Sequence, residues 1–152
     1  MHSHKEIKIL SNSAKEIYDL VFDVEKYPEF LPWCSQAKIT KKHDERHFEA
    51  DLTINFKGFS HKYSSDVRAG KIDDDDYLIS VVAIDGPFKN LVNQWQFKDL
   101  AKRGDDKKCE VKFFIEFEFR SKILNKLMGF VWHKATQKMI GAFEKRAQEI
   151  YR

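Results

Sequence analysis

From Phe48 to Phe119 apolar residues recur at every second position in this chain, and from about Ser121 onward they recur every three to four. That change of period constrains the fold more than any other feature. Successive strand side chains point to opposite faces, whereas helical positions i, i+3, i+4 and i+7 share one face. Phe48, Ala50, Leu52, Ile54 and Phe56 alternate with Glu49, Asp51, Thr53 and Asn55. Phe59, His61, Tyr63, Ser65 and Val67 continue after Lys57-Gly58, and residues 77–84 are more continuously apolar. Leu91, Asn93, Trp95 and Phe97, then Val111, Phe113, Ile115, Phe117 and Phe119, complete the pattern. Such segments predict antiparallel strands with one buried face. Gly70 with the acidic run at 73–76, Gly86-Pro87, and Gly104-Asp105-Asp106 supply turn signals between them.

The flanks read differently. Residues 5–10 predict a short opening strand. Ser13-Ala14-Lys15-Glu16 has capping-box spacing, with a hydroxyl for exposed amides and a carboxylate three residues on. Ile17, Leu20, Val21 and Val24 then share one helical face. Pro28 and Pro32 limit the apolar segment 27–33 to a helical turn or two, because each proline lacks an amide donor. Residues 121–151 predict one long closing helix. Its apolar stripe is Leu124, Leu127, Met128, Val131, Trp132, Ala135, Met139, Ala142, Phe143, Ala147 and Ile150. At 1.5 Å per residue it would span about 45 Å. The predicted class is α+β. It is a helix-grip: a curved antiparallel sheet wrapped around a long C-terminal helix, with two short helices after the first strand. No repeat or Pro/Gly-rich boundary divides the chain, so residues 1–152 read as a single domain.

Composition bears on what such a fold encloses. Thirteen Phe, five Tyr and three Trp in 152 residues give more ring area than core packing requires, which fits either an aromatic-rich core or a wide apolar cavity between sheet and helix. A net charge of +3 is too small to signal DNA binding. No apolar run reaches the ~18 residues of a membrane span, and the polar start Met1-His2-Ser3-His4-Lys5 does not read as a secretory signal. Cys34 and Cys109, far apart in sequence, predict reduced thiols and a cytoplasmic location.

The residue types that carry catalysis are not arranged for it. Cys34 and Cys109 have no glycine elbow or base beside them and read as small buried hydrophobes. His2 and His4 read as a flexible terminus. His43 and His47 have i, i+4 spacing but flank a predicted hairpin turn, where that spacing is not expected to align them on one face. The acidic run lacks the alternating ligands and glycine of a calcium loop. No metal site is expected. His61, Tyr63 and Tyr77 are the predicted inward-facing polar groups; each reads as a satisfied core polar group or as a hydrogen-bond partner for a ligand's head, rather than as acid or base. The chain is therefore expected not to be an enzyme. The proline-stiffened Tyr27, Phe30, Leu31 and Trp33 are expected either to plug one end of the core or to form one lip of the cavity, with Gly86-Pro87-Phe88 as the facing lip.

Several segments also carry a resemblance. They are Val21-Phe22-Asp23-Val24-Glu25-Lys26-Tyr27-Pro28-Glu29-Phe30-Leu31-Pro32-Trp33-Cys34, then Phe56-Lys57-Gly58, then Asp85-Gly86-Pro87-Phe88-Lys89 with Leu91, Trp95 and Phe97. Phe117, Phe119 and Ala142-Phe143-Glu144-Lys145-Arg146-Ala147 before Tyr151 follow. Together they span nearly the whole chain. In that order they resemble the START-like coenzyme-Q-binding and ribosome-association-toxin family, within the polyketide-cyclase-like superfamily. The chain departs at Asn93, where the family tends to have glycine. It also departs at Ser64-Ser65-Asp66, where the family has a Thr-Thr-Arg-like stretch. The second departure removes a positive charge expected near the cavity or its rim.

The resemblance implies a helix-grip fold around a hydrophobic tunnel. It implies, for some members, binding of coenzyme Q (ubiquinone) in support of respiratory electron transport. For others it implies a toxin that binds a ribosomal subunit and inhibits translation initiation. The leading expectation is a chaperone or carrier of ubiquinone or a related isoprenoid lipid, held as a bound ligand with no cofactor; the ribosome-association toxin is the alternative. The expected ligand-binding residues are Tyr27, Phe30, Leu31, Trp33, Phe56, His61, Tyr63, Phe88, Trp95, Phe117, Met128, Trp132 and Met139. Each buried CH₂ is worth about 0.8 kcal/mol, so one isoprene unit gains roughly 3–4 kcal/mol. Two enclosed units suffice for about micromolar binding after association costs. Lys122, Lys126, His133, Lys134, Lys138, Lys145 and Arg146 on the closing helix suit a solvated face, an anionic inner-membrane surface or ribosomal RNA. Lys102, Arg103, Lys107 and Lys108 in one loop read the same way.

Overall fold

A computed structural model describes residues 1–56, 58–100 and 106–151. Lys57, Lys102, Arg103, Gly104 and Asp105, named in the turn and loop readings, lie outside the described residues. The chain builds one curved sheet from β1 (His2–Leu10), β2 (Cys34–Asp44), β3 (His47–Phe56), β4 (Phe59–Asp73), β5 (Asp76–Asp85), β6 (Phe88–Asp99) and β7 (Cys109–Phe119). The spatial order is β1-β7-β6-β5-β4-β3-β2. Consecutive strands from β2 to β7 pair antiparallel, and β1 returns to pair with β7, so β1 and β2 are the two edges. Alternation sorts the side chains. Phe48, Ala50, Val67, Ile79, Trp95, Phe97, Val111 and Phe113 are buried on the concave face.

Four helical segments close that face. In α1 (Ala14–Phe22) the Ser13 hydroxyl accepts from the Glu16 amide at 3.1 Å, and Glu16 accepts from the Ser13 amide at 3.0 Å. This reciprocal cap satisfies donors that the first helical turn would otherwise leave open. The Asp99 carboxylate accepts from the Ala14 amide at 2.8 Å, pinning the same end of α1 to the end of β6. Next comes a 3-10 helix (Val24–Glu29) with Pro28 inside it. α2 (Lys122–Met128) and α3 (Trp132–Ile150) follow β7. The architecture is a helix-grip of the α+β class.

Four details differ from the sequence expectations. First, β1 starts at His2, not Lys5, because the His2 ring is held: its Nε2 meets the Asn125 carbonyl at 2.9 Å and it packs on Phe117 and Trp132. Second, β2 joins the strand start expected at Cys34 to the hairpin expected at 43–47, as an 11-residue edge strand whose mostly exposed side chains carry no alternation. Third, the closing helix is interrupted. At Gly129–Val131 the chain tightens, with Phe130 and Val131 donating to the carbonyls of Leu127 and Met128, three residues back. The Asn125 side chain holds α2 to the end of β7 through both backbone groups of Phe119. In consequence Leu127 (59% exposed), expected in the inward stripe, faces outward beside Ile123 (74%) and Phe130 (82%). Fourth, Gly70 lies inside β4, and the turn falls at Asp74-Asp75. Among the described residues no helix is long and apolar enough to cross a membrane.

Candidate functional site

The apolar interior divides into two clusters. The larger joins α1, the strand centres and the C-terminal half of α3 through Ile17, Phe97, Ile140 and Phe143. The smaller joins Leu91, Phe117, Phe119 and Trp132, with Phe59, Phe88 and Met128 against them. Residues of both clusters wall a cavity of about 240 Å³ between the sheet and α3. Rings fill one side densely, where Trp95 packs on Phe97, Phe113 and Phe143 at 4.7–5.9 Å between centroids. The other side is hollow.

All but one of the predicted ligand-binding residues reach this wall. Tyr27, Leu31 and Trp33 come from the proline segment, and Phe56 from the end of β3. His61 and Tyr63 come from β4, Phe88 and Trp95 from β6, and Phe117 from β7. Met128 comes from α2, and Trp132 and Met139 from α3. Phe30 is the exception. Its ring packs against Phe143 at 5.3 Å and carries the Arg146 guanidinium at 5.2 Å, so it braces the lip from behind. Just past the 3-10 helix, the Leu31 amide donates to the Tyr27 carbonyl four residues back, and Leu31 takes the inward position instead.

Both lips are conformationally unusual. Trp33 sits at φ 65, a left-handed backbone that bulky residues rarely adopt, with its ring edge-on to Phe56 at 4.7 Å. Its carbonyl accepts from the Asn55 amide at 2.7 Å, which ties the strained residue to the strand end. Opposite, Gly86 has φ +129 and passes so near β4 that a Cβ there would lie 2.6 Å from the Tyr63 Cβ. That passage sets Phe88 beside Tyr63, at 5.2 Å between ring centroids.

The polar groups of the cavity are few and mostly committed. Asn93 donates to the Phe114 carbonyl and accepts from the Trp95 indole, both at 2.9 Å. Ser65 and Thr136 donate to the carbonyls of Ala50 and Trp132. These three were not among the polar groups expected inside, although the alternation that places Trp95 inward also places Asn93 there. Tyr77 is not on the wall; it packs on Tyr18 at 4.8 Å beneath α1. Among the described residues nothing hydrogen-bonds the Tyr63 hydroxyl or the ring nitrogens of His61, which stands exposed at the rim. No Asp, Glu, Lys or Arg belongs to the wall among the described residues. Asp66 lies on the opposite face of β4, where it meets His47 and Arg68. The charge change at that position therefore leaves the cavity untouched.

Burial sets the ionisation of the interior. It raises the pKa of Tyr63 and of Tyr27, whose hydroxyl donates to the Val21 carbonyl. It also pushes the Cys34 thiol up to about 11 and the Cys109 thiol up to about 12. Each folded value lies above the unfolded one. The neutral thiols therefore stabilise the fold fully below pH ~9, and that contribution is lost as pH rises toward 11–12. At pH 8 on the order of one Cys34 in a thousand is thiolate. Native protein should thus leave both thiols unmodified by a disulfide reagent at pH 8 and release two equivalents on unfolding in guanidinium. Fast labelling before unfolding would mean that the interior opens to solvent.

The outer charges are not one uniform patch. Lys122, Lys126, Lys134, Lys138 and Lys145 are exposed. Arg146 instead pairs with Glu29 at 2.8 Å, and Lys107 pairs with Glu16 at 3.3 Å.

Comparisons with known proteins extend this picture. A family model described as polyketide cyclase / dehydrase and lipid transport matches residues 10–144. The ribosome association toxin RatA of Rickettsia prowazekii (strain Madrid E) is 44% identical over 150 residues, covering 99% of each chain. The mitochondrial coenzyme Q-binding protein COQ10 homolog B of Xenopus laevis is 32% identical over 152 residues, covering 97% of this chain and 59% of that one. Among solved structures, the Zhui aromatase/cyclase from Streptomyces sp. R1128 matches with a TM-score of 0.81 at 11% identity, covering 99% of this chain and 96% of that one. At that identity the likeness is one of fold.

Proposed function

This chain belongs to the polyketide cyclase / dehydrase and lipid transport family, and on that premise we propose that it holds ubiquinone or a related isoprenoid lipid beneath α3 as its carrier or chaperone. One observation carries the reading: an apolar hollow of about 240 Å³ whose uncommitted polar groups, among the described residues, are the Tyr63 hydroxyl and the His61 ring. The volume is small beside the ~300–1,000 Å³ of drug-sized pockets. It suits a ring or one or two isoprene units, with the remaining tail leaving between the lips. A wall without carboxylate or lysine among the described residues favours holding a guest over transforming it. The place of action is then the cytoplasm. Exposed Ile123, Leu127 and Phe130 beside Lys122 and Lys126 are suited to touch an anionic inner-membrane surface.

All three tryptophans stand on the cavity wall, so a bound quinone should quench intrinsic fluorescence. Titration with a short-tailed ubiquinone should give saturable quenching with a Kd of about 1 µM. Tyr63→Phe should weaken it roughly 2- to 12-fold, the worth of one hydrogen bond. Folding stability should not change, since the hydroxyl has no protein partner among the described residues. No saturable quenching, together with no lipid co-purifying from a quinone-making host, would end the carrier reading.

A second reading, ribosomal-subunit association, is favoured by the 44% identity to a protein of that name. It would use the exposed lysines of α2 and α3 rather than the cavity, so the two readings are separable. Co-sedimentation with ribosomal subunits that weakens steeply with salt supports it, and none at low salt removes it.

A further inference from the structure

We propose that His43, His47 and Asp66 form a binding site for a borderline divalent transition metal, zinc first, on the outer face of β2–β4. The site is separate from the cavity and does not depend on the lipid reading. The stacked rings overturn the expectation that the spacing of His43 and His47 does not align them on one face. In the β2–β3 hairpin, Lys42 pairs with Phe48 and Asp44 with His47, which leaves His43 unpaired at an irregularity between them. Such a bulge re-aims a side chain. Here it lays the His43 ring on the His47 ring at 4.3 Å between centroids and 22° between planes. β4 then brings Asp66 to His47 Nε2 at 2.7 Å. One nitrogen from each imidazole and one Asp66 oxygen all lie within 4.8 Å of one another.

The surroundings are built as a supporting shell. Glu49 holds His43 through Nε2 at 2.6 Å, as carboxylates steer metal-bound imidazoles. Among the described residues no group engages the Nδ1 of either ring. Arg68 Nε holds the second Asp66 oxygen at 3.1 Å, which leaves Oδ1 for an ion once its contact with His47 is exchanged. Two carboxylates face one guanidinium here, and Arg68 is exposed enough for solvent to screen its repulsion. Zinc takes ligands at about 2.0–2.2 Å, so the donors must close by roughly 1 Å. The exposed His43 supplies that movement. A donor set of two imidazoles and carboxylate fits zinc, copper(II) or nickel(II) rather than calcium or magnesium. Once bound, the ion would staple the edge strand β2 to β3 and β4.

The test is titration of the full chain, freed of metal by chelator, with zinc at pH 7.5. Heat and the ring resonances of the six histidines are followed together. One equivalent should bind with about micromolar Kd, shifting the His43 and His47 signals, and magnesium should shift neither. His47→Gln and Asp66→Asn should each weaken binding at least tenfold. His133→Gln controls for the other imidazole pair, where His4 and His133 lie 3.3 Å apart, and should leave binding unchanged. The proposal is overturned if no heat and no shift at His43 and His47 accompany zinc, or if His133→Gln abolishes binding while His47→Gln does not.

Discussion

Ala135→Trp should abolish lipid binding while the protein stays folded. Ala135 lies on the cavity wall, on α3 between Trp132 and Met139, and is half-buried. An indole built there grows into space that already exists rather than into packed atoms. The usual cost of overpacking is therefore small, and filling a hollow can stabilise. The guest, however, loses room in a cavity of about 240 Å³. Excluding one isoprene unit forfeits roughly 3–4 kcal/mol of transfer free energy, which is two to three powers of ten in Kd. Ala135→Leu should give an intermediate loss. Because the substitution adds a fluorophore, affinity is better read by equilibrium dialysis or calorimetry, with thermal melting as the control for folding. Wild-type affinity in the tryptophan variant would place the ligand somewhere other than beneath α3.

Gly86→Ala should be among the most destabilising single substitutions in the chain. Two effects act together. At φ +129 an L-residue is strained wherever it sits. Beyond that, the new methyl would lie 2.6 Å from the Tyr63 Cβ and 3.0 Å from its Cα, atoms that cannot swing aside without moving β4. We expect a loss of roughly 2–4 kcal/mol, or a drop in Tm of about 5–15 °C. Gly58→Ala is the comparator. Gly58 has φ +82 but nothing within 4 Å of the added carbon, so it should lose only about 1 kcal/mol. Moving β4 also displaces Tyr63 and Phe88, so residual folded Gly86→Ala protein should bind lipid weakly. Equal melting of the two variants would show that the close passage at Gly86 is not maintained in solution.

Much of this architecture was legible in the chain. The cap at Ser13 and Glu16 needs only residues three apart, and it forms as spaced. The inward sets on β3, β4, β6 and β7 follow from parity, which places Phe48, Val67, Trp95 and Phe113 together in the core. Parity also decides Asp66. With Ser65 and Val67 inward it must face out, and the expectation that it borders the cavity neglected that.

Other features left no local trace. β2 carries little alternation because an edge strand with exposed faces has no core to select it. The break at Gly129–Val131 was hidden because Leu124, Met128 and Trp132 keep a helical period on both sides of it. His43 and His47 met through a bulge, and bulges depend on how two strands settle their pairing.

By itself the amino-acid order determined the strands that carry a buried face and the side chains that most of them turn inward, because those depend on periodicity over a few residues. Whether the inward rings interlock or leave a hollow was decided only in the tertiary structure. That hollow is the difference between the volume enclosed by α3 and the sheet and the volume of the side chains between them. The first is set by contacts between residues as distant as Tyr27 and Phe143.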